Sequence, residues 1–209
     1  MSTEFVKTPR APARQSIQSG DLDYSLLQRM ARQDRIALQE LFQRHYARVM
    51  GFFSELALER QAVEELTVDT FLTAWNTAGS FEGHLPVSMW LLELGYRCVL
   101  RSTEECRDRI DLGADDQPGE TPQMGFDSLS HARRLCAIGH LPISQRVALE
   151  LTYHLRHSRE EIAAIMGCSV ANVHEHVSAA RRGLLGALCR LTSSRLKHPA
   201  PGIGRDSLK

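Results

Sequence analysis

Apolar residues recur along this chain at steps of three and four, and no stretch shows the alternating, β-branched pattern of strands, so the pattern predicts helices throughout. Leu22, Leu26, Leu27 and Met30 predict a short helix, and Leu38, Leu41, Phe42, Tyr46, Val49 and Phe53 a longer one that starts near Asp34. In ERQAVEELTVDTFLTAWNTAG, the side chains of Ala62, Val63, Leu66, Thr70, Phe71, Ala74 and Trp75 share one side. The stretch PVSMWLLELGYRCVL, opened by Pro86, is apolar nearly all round, as expected of a helix packed on several neighbours. Further helices are predicted over about 128–139 and from Ser144 to Leu155, with Ser144 as the cap of the second.

Between these groups, residues 111–130 (DLGADDQPGETPQMGFDSLS) hold five acids, three glycines, two prolines and few apolar anchors. Such a composition cannot bury enough surface to order itself and predicts a linker. The expected organisation is all-α, with two small helical domains joined by a flexible acidic linker. The domains cover 21–110 and 131–195, with disordered tails over 1–20 and 196–209. No internal repeat stands out.

The segment HSREEIAAIMGCSVANVHEHVSAARRGL (157–184) carries the most local information. Ser158 and Glu161 form a capping-box pair, Ile162, Ala163, Ile165 and Met166 an apolar stripe, and Gly167 a stop that tolerates positive φ. Ser169 can cap a second helix whose Val170, Val173, Val177, Ala180, Leu184 and Leu188 lie along one face. At 100° per residue, Glu175 and Arg182 point away from that face, with Ala171, Asn172, Ser178 and Ala179 beside them. Two short helices, a tight turn containing glycine and a second helix with a short-side-chain outer face make a helix-turn-helix, which places its second helix in the DNA major groove. An ordinary helical hairpin is the alternative.

Charge sharpens this reading. The whole chain is formally neutral, yet residues 21–110 carry −4, residues 111–130 carry −5 and residues 131–209 carry +7. A basic C-terminal part is the electrostatic footprint expected for a polyanion partner, and the asymmetry points to a division of labour. No run of about 18 apolar residues could span a membrane, and the first 20 residues have no apolar stretch that would serve as a secretory signal. The cysteines (Cys98, Cys106, Cys136, Cys168, Cys189) are odd in number and never in CxxC spacing, which fits the reducing cytoplasm and a role as small buried residues. His154 with His157, and His174 with His176, lack a carboxylate or thiolate at a familiar spacing, so neither a metal nor another cofactor is expected. No nucleophile–base pair, phosphate-cradling glycine loop or HExxH stands in a supporting context, and an enzyme is not expected.

With both halves laid out, the chain resembles the extracytoplasmic-function (group IV, sigma-70 family) sigma factors of bacterial RNA polymerase. AVEELTVDTFLTAW (62–75), FEG (81–83) and MWLLEL (89–94) resemble segments of the family's first domain. LPISQRVALELTYHLRHSREEIAAIMGCSVANVHEHVSAARRGL (141–184) is similar to its second. The resemblance implies a promoter-specificity subunit that works bound to core RNA polymerase, through the β′ clamp and the β subunit. The first domain would grip the polymerase through Glu64, Glu65, Leu66, Asp69 and Phe71, and would open the minus-ten promoter element with Trp75, Asn76, Trp90, Arg97 and Arg101. The second would read the minus-thirty-five element with Ser169, Ala171, Asn172, His174, Glu175, Ser178, Arg181 and Arg182. The acidic linker would thread the polymerase channel, and an anti-sigma factor is an implied partner.

The chain departs from the family pattern at several positions. Val68 stands where the family usually has glutamine, Glu93 and Arg97 where it has an arginine and an asparagine nearby, and RSTEECRDR (101–109) replaces a basic run. Acids at 93 and 104 repel phosphate where the family attracts it. Basic residues expected around His174, His176 and Ala179 are also missing, leaving Arg181 and Arg182 as phosphate contacts. Two other readings follow: a sigma-like regulator that lost promoter opening and acts by binding protein, and a self-contained helix-turn-helix regulator.

Overall fold

A computed structural model describes residues 13–111 and 137–195, with side chains over 20–104 and 137–186. The described residues form helices and turns, with no strand among them. The first is α1 (Ala13–Ala31), which starts inside the stretch read from sequence as a tail. Its buried Leu26, Leu27 and Met30 fill the predicted apolar positions, whereas Leu22 is exposed. Asp34 caps α2 (Arg35–Ser54) by accepting from the Ile36 and Ala37 amides, and it also accepts from Arg29 Nε at 2.8 Å. That bond to the guanidinium, joined by the two amide bonds, holds the Asp34 carboxyl below the usual range.

Helix α3 (Arg60–Thr77) buries Val63, Leu66, Thr67, Thr70, Phe71 and Ala74. A short 3₁₀ turn (Ala78–Ser80) and the loop 81–86 lead into α4 (Val87–Asp111). From Met89 to Tyr96 every residue but Gly95 carries a substantial side chain, and all are buried. This all-round burial arises because α4 runs through the middle of the molecule, packed on α1, α2, α3 and two helices of the second half, 143–149 and 159–166. At Gly95 an added Cβ would lie 3.0 Å from Phe53 Cζ, so the bare backbone admits the Phe52–Phe53 pair. Burying each such phenyl group contributes about 2 kcal/mol.

Residues 112–136 lie outside the described part, and with them the acidic linker, Cys136 and most of the helix predicted over 128–139. The remainder comprises α5 (Ile143–Leu149), a π-helical turn (Glu150–His154), α6 (Arg159–Met166) and α7 (Val170–Arg195). Ser144 does not cap α5: Pro142 occupies that position, its fixed φ preset for a helix start, and Ser144 Oγ accepts instead from the Tyr96 hydroxyl at 3.3 Å. The predicted single helix to Leu155 changes to π geometry at Glu150 and ends at Arg156, whose φ is +55°.

One apolar core runs through both halves, from Leu26 and Phe52 to Leu151, Ile162, Ile165 and Val173. Polar contacts reinforce it across long sequence distances. Arg146 donates to the carbonyls of Leu141 (2.7 Å), Leu56 (3.0 Å) and Gly139, tying α5 to the end of α2. Arg48 on α2 meets His157 Nε2 at 3.0 Å, and the other ring nitrogen of His157 faces Glu161 at 3.0 Å. Burial lowers the pKa of both arginines.

Candidate nucleic-acid and protein interfaces

The helix pair α6–α7 is built as its sequence dictates. The Ser158 hydroxyl accepts from the Glu161 amide at 3.2 Å, and the Glu161 carboxylate accepts from the Ser158 amide at 2.9 Å. That bond, together with His157 and Arg48, lowers the Glu161 pKa. Gly167 takes the left-handed conformation (φ 62°, ψ 35°) that ends α6. Ser169 Oγ then accepts from the Asn172 amide at 3.1 Å, capping α7.

Val173 and Ala180 are fully buried on the inner side of α7, with Val177 and Leu184 packed beside them. Val170, one turn earlier, is 40% exposed, and the side chain of Leu188 lies outside the described residues. At Gly183 an added Cβ would sit 2.5 Å from Leu141 Cδ2, so this glycine lets α7 press against the start of α5. Opposite the seam, Ala171, Asn172, Glu175 and Arg182 are exposed and Ser178 is half-buried. Ser169 and His174 are exposed at the edges of this face. Arg181 is drawn sideways: it donates to the Tyr153 hydroxyl, and its guanidinium carbon lies 5.3 Å from the ring centroid. Of the two arginines, Arg182 is the one aimed outward.

On α3 the residues expected to face polymerase divide into two sets. Glu64, Glu65 and Asp69 are exposed, but Leu66 and Phe71 belong to the core, Phe71 stacking on Phe42 with centroids 4.8 Å apart. Their angular position explains this, since Val63, Leu66, Thr67, Thr70, Phe71 and Ala74 span an arc of about 140° and Glu64, Glu65, Val68, Asp69 and Leu72 fill the opposite one. Sequence reasoning missed Val68 and Leu72, each 50% exposed, which supply the apolar part of the outer face. Arg35, Leu38, Gln39 and Phe42 of α2 join Val68, Phe71 and Leu72 in lining a shallow apolar groove of about 290 Å³.

Of the residues read as strand-opening, Trp90 packs on the 81–86 loop, while the others are spread along α3 and α4. Trp90 is buried against Phe81 at 4.8 Å between centroids, and Trp75 is half-buried against the core. Asn76, Arg97 and Arg101 are exposed, Arg101 leaning on Cys98 Sγ at 3.7 Å. Glu93, read from sequence as an acid facing phosphate, is buried and accepts from Arg97 one turn on.

His154 and His157 take separate partners, His154 pairing with Glu150 at 2.6 Å and His157 with Arg48 and Glu161. Among the described residues, Glu55, Glu150 and His154 bring one ligand atom each within 4.8 Å of one another. Neither Glu55 nor Glu150 is without a partner. Cys98 is buried and Cys168 half-buried, both as free thiols. No described helix is long and apolar enough to cross a membrane.

Known proteins converge on one family. Residues 133–184 match the family described as Sigma-70, region 4, which spans α5, the π turn, α6 and the first half of α7. An ECF RNA polymerase sigma factor, SigK of Mycobacterium sp. (strain KMS), is 28% identical over 185 residues, covering 85% of this chain and 95% of that protein. The ECF RNA polymerase sigma factor SigC of Mycobacterium tuberculosis is 30% identical over 129 residues, 59% of this chain and 69% of that protein. Among solved structures, the sigma factor RpoE of Bartonella quintana, in complex with the anti-sigma factor NepR, superposes with a TM-score of 0.59. It is 25% identical and covers 72% of this chain and 95% of that one. With a helix-turn-helix in the matched region and relatives aligned across both halves, the chain belongs to the extracytoplasmic-function RNA polymerase sigma factors of the sigma-70 family.

Proposed function

We propose that this sigma factor binds core RNA polymerase through the outer face of α3, reads the upstream promoter element with α7 and opens the downstream element with the surface around the 81–86 loop. The observation that carries the reading is the two-sidedness of α7. Val173 and Ala180 are sealed inside, which leaves Ala171, Asn172, Glu175, Ser178 and Arg182 as a narrow, mostly small-residue edge that a major groove can admit. The mixed face of Glu64, Glu65, Val68, Asp69 and Leu72 suits a polymerase helix with an apolar stripe and basic flanks, against the β′ clamp, with the β subunit meeting the second half.

In this scheme residues 21–110 work as the gripping and opening unit, 131–195 as the upstream reader and 111–130 as the acidic connector between them. The protein acts in the cytoplasm, performs no catalytic chemistry of its own and takes no cofactor. Arg182 supplies phosphate attraction and Glu175 base readout, since a carboxylate can accept from cytosine N4.

A second reading has one observation behind it. The relative RpoE is solved with an anti-sigma factor, so a comparable partner here would silence the chain by covering either face. Adding purified protein to core polymerase and genomic fragments, then mapping transcript 5′ ends, separates the two. Recurrent starts that share two upstream elements support the initiation role, whereas core binding without any start transfers the function to protein sequestration.

A further inference from the structure

Glu55 closes α2 as its C-cap residue, and the carbonyl of the next residue, Leu56, accepts from Arg146 of α5 at 3.0 Å. That bond holds the end of α2 against the π-helical turn that carries Glu150 and His154, a kind of turn frequent at functional sites. Glu55, Glu150 and His154 bring one ligand atom each within 4.8 Å of one another. The three side chains line a cavity of about 420 Å³ between the two halves of the chain, with Leu149 and Leu184 on its apolar wall. The sequence hides this grouping because Glu55 stands far from the other two along the chain.

Burial and donor type suit a divalent cation. Glu150 is 7% exposed, a depth at which a carboxylate is either paired or coordinates a metal. Two carboxylates and an imidazole bring two negative charges and one nitrogen donor to a single point. That is a ligand set for zinc and its neighbours rather than for magnesium or calcium, which take oxygen alone. Tetrahedral bonds of about 2 Å set ligand atoms about 3.3 Å apart, and rotation of the His154 side chain, 58% exposed, closes the present spacing to that value. Both arginines on the cavity wall are engaged elsewhere, Arg146 with the carbonyls of Leu141, Leu56 and Gly139 and Arg181 with the Tyr153 hydroxyl. Since neither Glu55 nor Glu150 is without a partner, the metal enters by exchange.

We propose that Glu55, Glu150 and His154 form a site for one zinc-class divalent cation, and that the bound ion staples the first half of the chain to the second. Glu55 comes from the first half and the other two ligands from the second, so the complete set exists only while the halves are packed together. An ion that binds this arrangement better than a parted one favours it by mass action. Under the function proposed above one chain reads two promoter elements, and a staple between the readers restrains that act. This regulatory consequence rests on that reading, whereas the site itself does not. The ion is a brake and no cofactor of initiation.

The test starts from full-length protein stripped of metal by a chelator and titrated with zinc chloride in a calorimeter. One ion per chain is expected, and zinc at about a hundredfold excess over its Kd is expected to raise the melting midpoint by about 5–10 °C. Glu55→Gln and His154→Ala are each expected to weaken binding about tenfold or more. Cobalt in the same site is expected to show no thiolate charge-transfer band, which separates it from binding at the cysteines. Dyes at the exposed positions Arg32 and Ala164 then report the staple. Zinc is expected to cut by about fivefold the fraction of chains whose dyes move apart on addition of core polymerase and promoter, in the wild type and not in Glu55→Gln. No zinc uptake by the wild type, or uptake that Glu55→Gln leaves unchanged, overturns the site. Uptake through all three residues with no effect on dye separation overturns the brake. Dyes that stay together even without zinc overturn the parting of the halves instead, and the zinc titration still decides the site.

Discussion

Arg182 and Glu175 share the outward side of α7, and the proposed function gives them different parts of a duplex. A guanidinium at Arg182 releases counterions from any sequence it meets, so Arg182→Ala is expected to weaken holoenzyme binding to all promoters about equally and to flatten the plot of log K against log salt by about 0.9. Glu175→Ala is expected to relax preference at a single base pair and leave the salt slope unchanged. Binding titrations across a promoter panel at several salt concentrations distinguish the two. Arg181 was read from sequence as equivalent to Arg182, because adjacent arginines look alike in a string. The difference is set by Tyr153, 28 residues away, which turns Arg181 aside. Glu93 carried the same kind of ambiguity: its formal charge suggested exposure, and only the position of α4 at the centre of the fold shows that it is buried.

A titration prediction belongs to His45. Its Nε2–H donates to the buried Asp23 at 2.9 Å, and burial, outweighing the attraction of Asp23, lowers its pKa. The unfolded chain therefore takes up a proton near pH 6.5 that the folded chain does not, so stability falls as pH drops below that value. Thermal midpoints measured between pH 7.5 and 5.5 are expected to decline in the wild type and to decline less in His45→Gln.

At the level of elements, the α6–α7 pair was legible because its determinants are local. A capping box, a left-handed glycine and a second cap lie within a dozen residues of one another, and each acts on its own backbone. Ser158→Ala is expected to cost about 1 kcal/mol, and Gly167→Ala about 1–2 kcal/mol through the left-handed strain. For a chain of this size each kcal/mol lowers the melting temperature by about 2–4 °C, which calorimetry would register. Helix α3 shows what local reading misses. Its buried side was evident, Leu66 and Phe71 included, while likeness to a motif also gave these two a polymerase-facing role; the 100° step leaves Val68 and Leu72 on the outer side. Val68→Asp with Leu72→Asp is expected to weaken core-polymerase binding at least tenfold, measured by competition against a labelled sigma factor, with no change in circular dichroism.

Across the whole molecule, the two halves share one core and several long-range polar ties. Arg48–His157 and Arg146–Leu56 span 109 and 90 residues, separations over which neither charge nor periodicity carries a signal. For this reason the packing of the halves was invisible in sequence, which showed only two helical groups and an acidic stretch between them. The packing also sets a requirement. Promoter elements centred about 25 base pairs apart lie roughly 85 Å apart along a duplex at about 3.4 Å per pair. A body of this many residues, closed on one core, is about 40 Å across. The halves must separate for both elements to be read at once, giving up the Arg146 bond to Leu56 and the burial shared by α4 and α6. Dyes at positions 32 and 164, exposed and outside both proposed faces, are expected to move apart by tens of ångströms when core and promoter bind, and an unchanged distance would mean that one element is read at a time.

The most direct measurement is a footprint of the protein–core complex on a promoter fragment, with permanganate to report unpaired thymines. Two protected patches about 25 base pairs apart, with reactive thymines confined to the downstream one, are the predicted result. A single protected patch on duplex that stays fully paired would contradict the account.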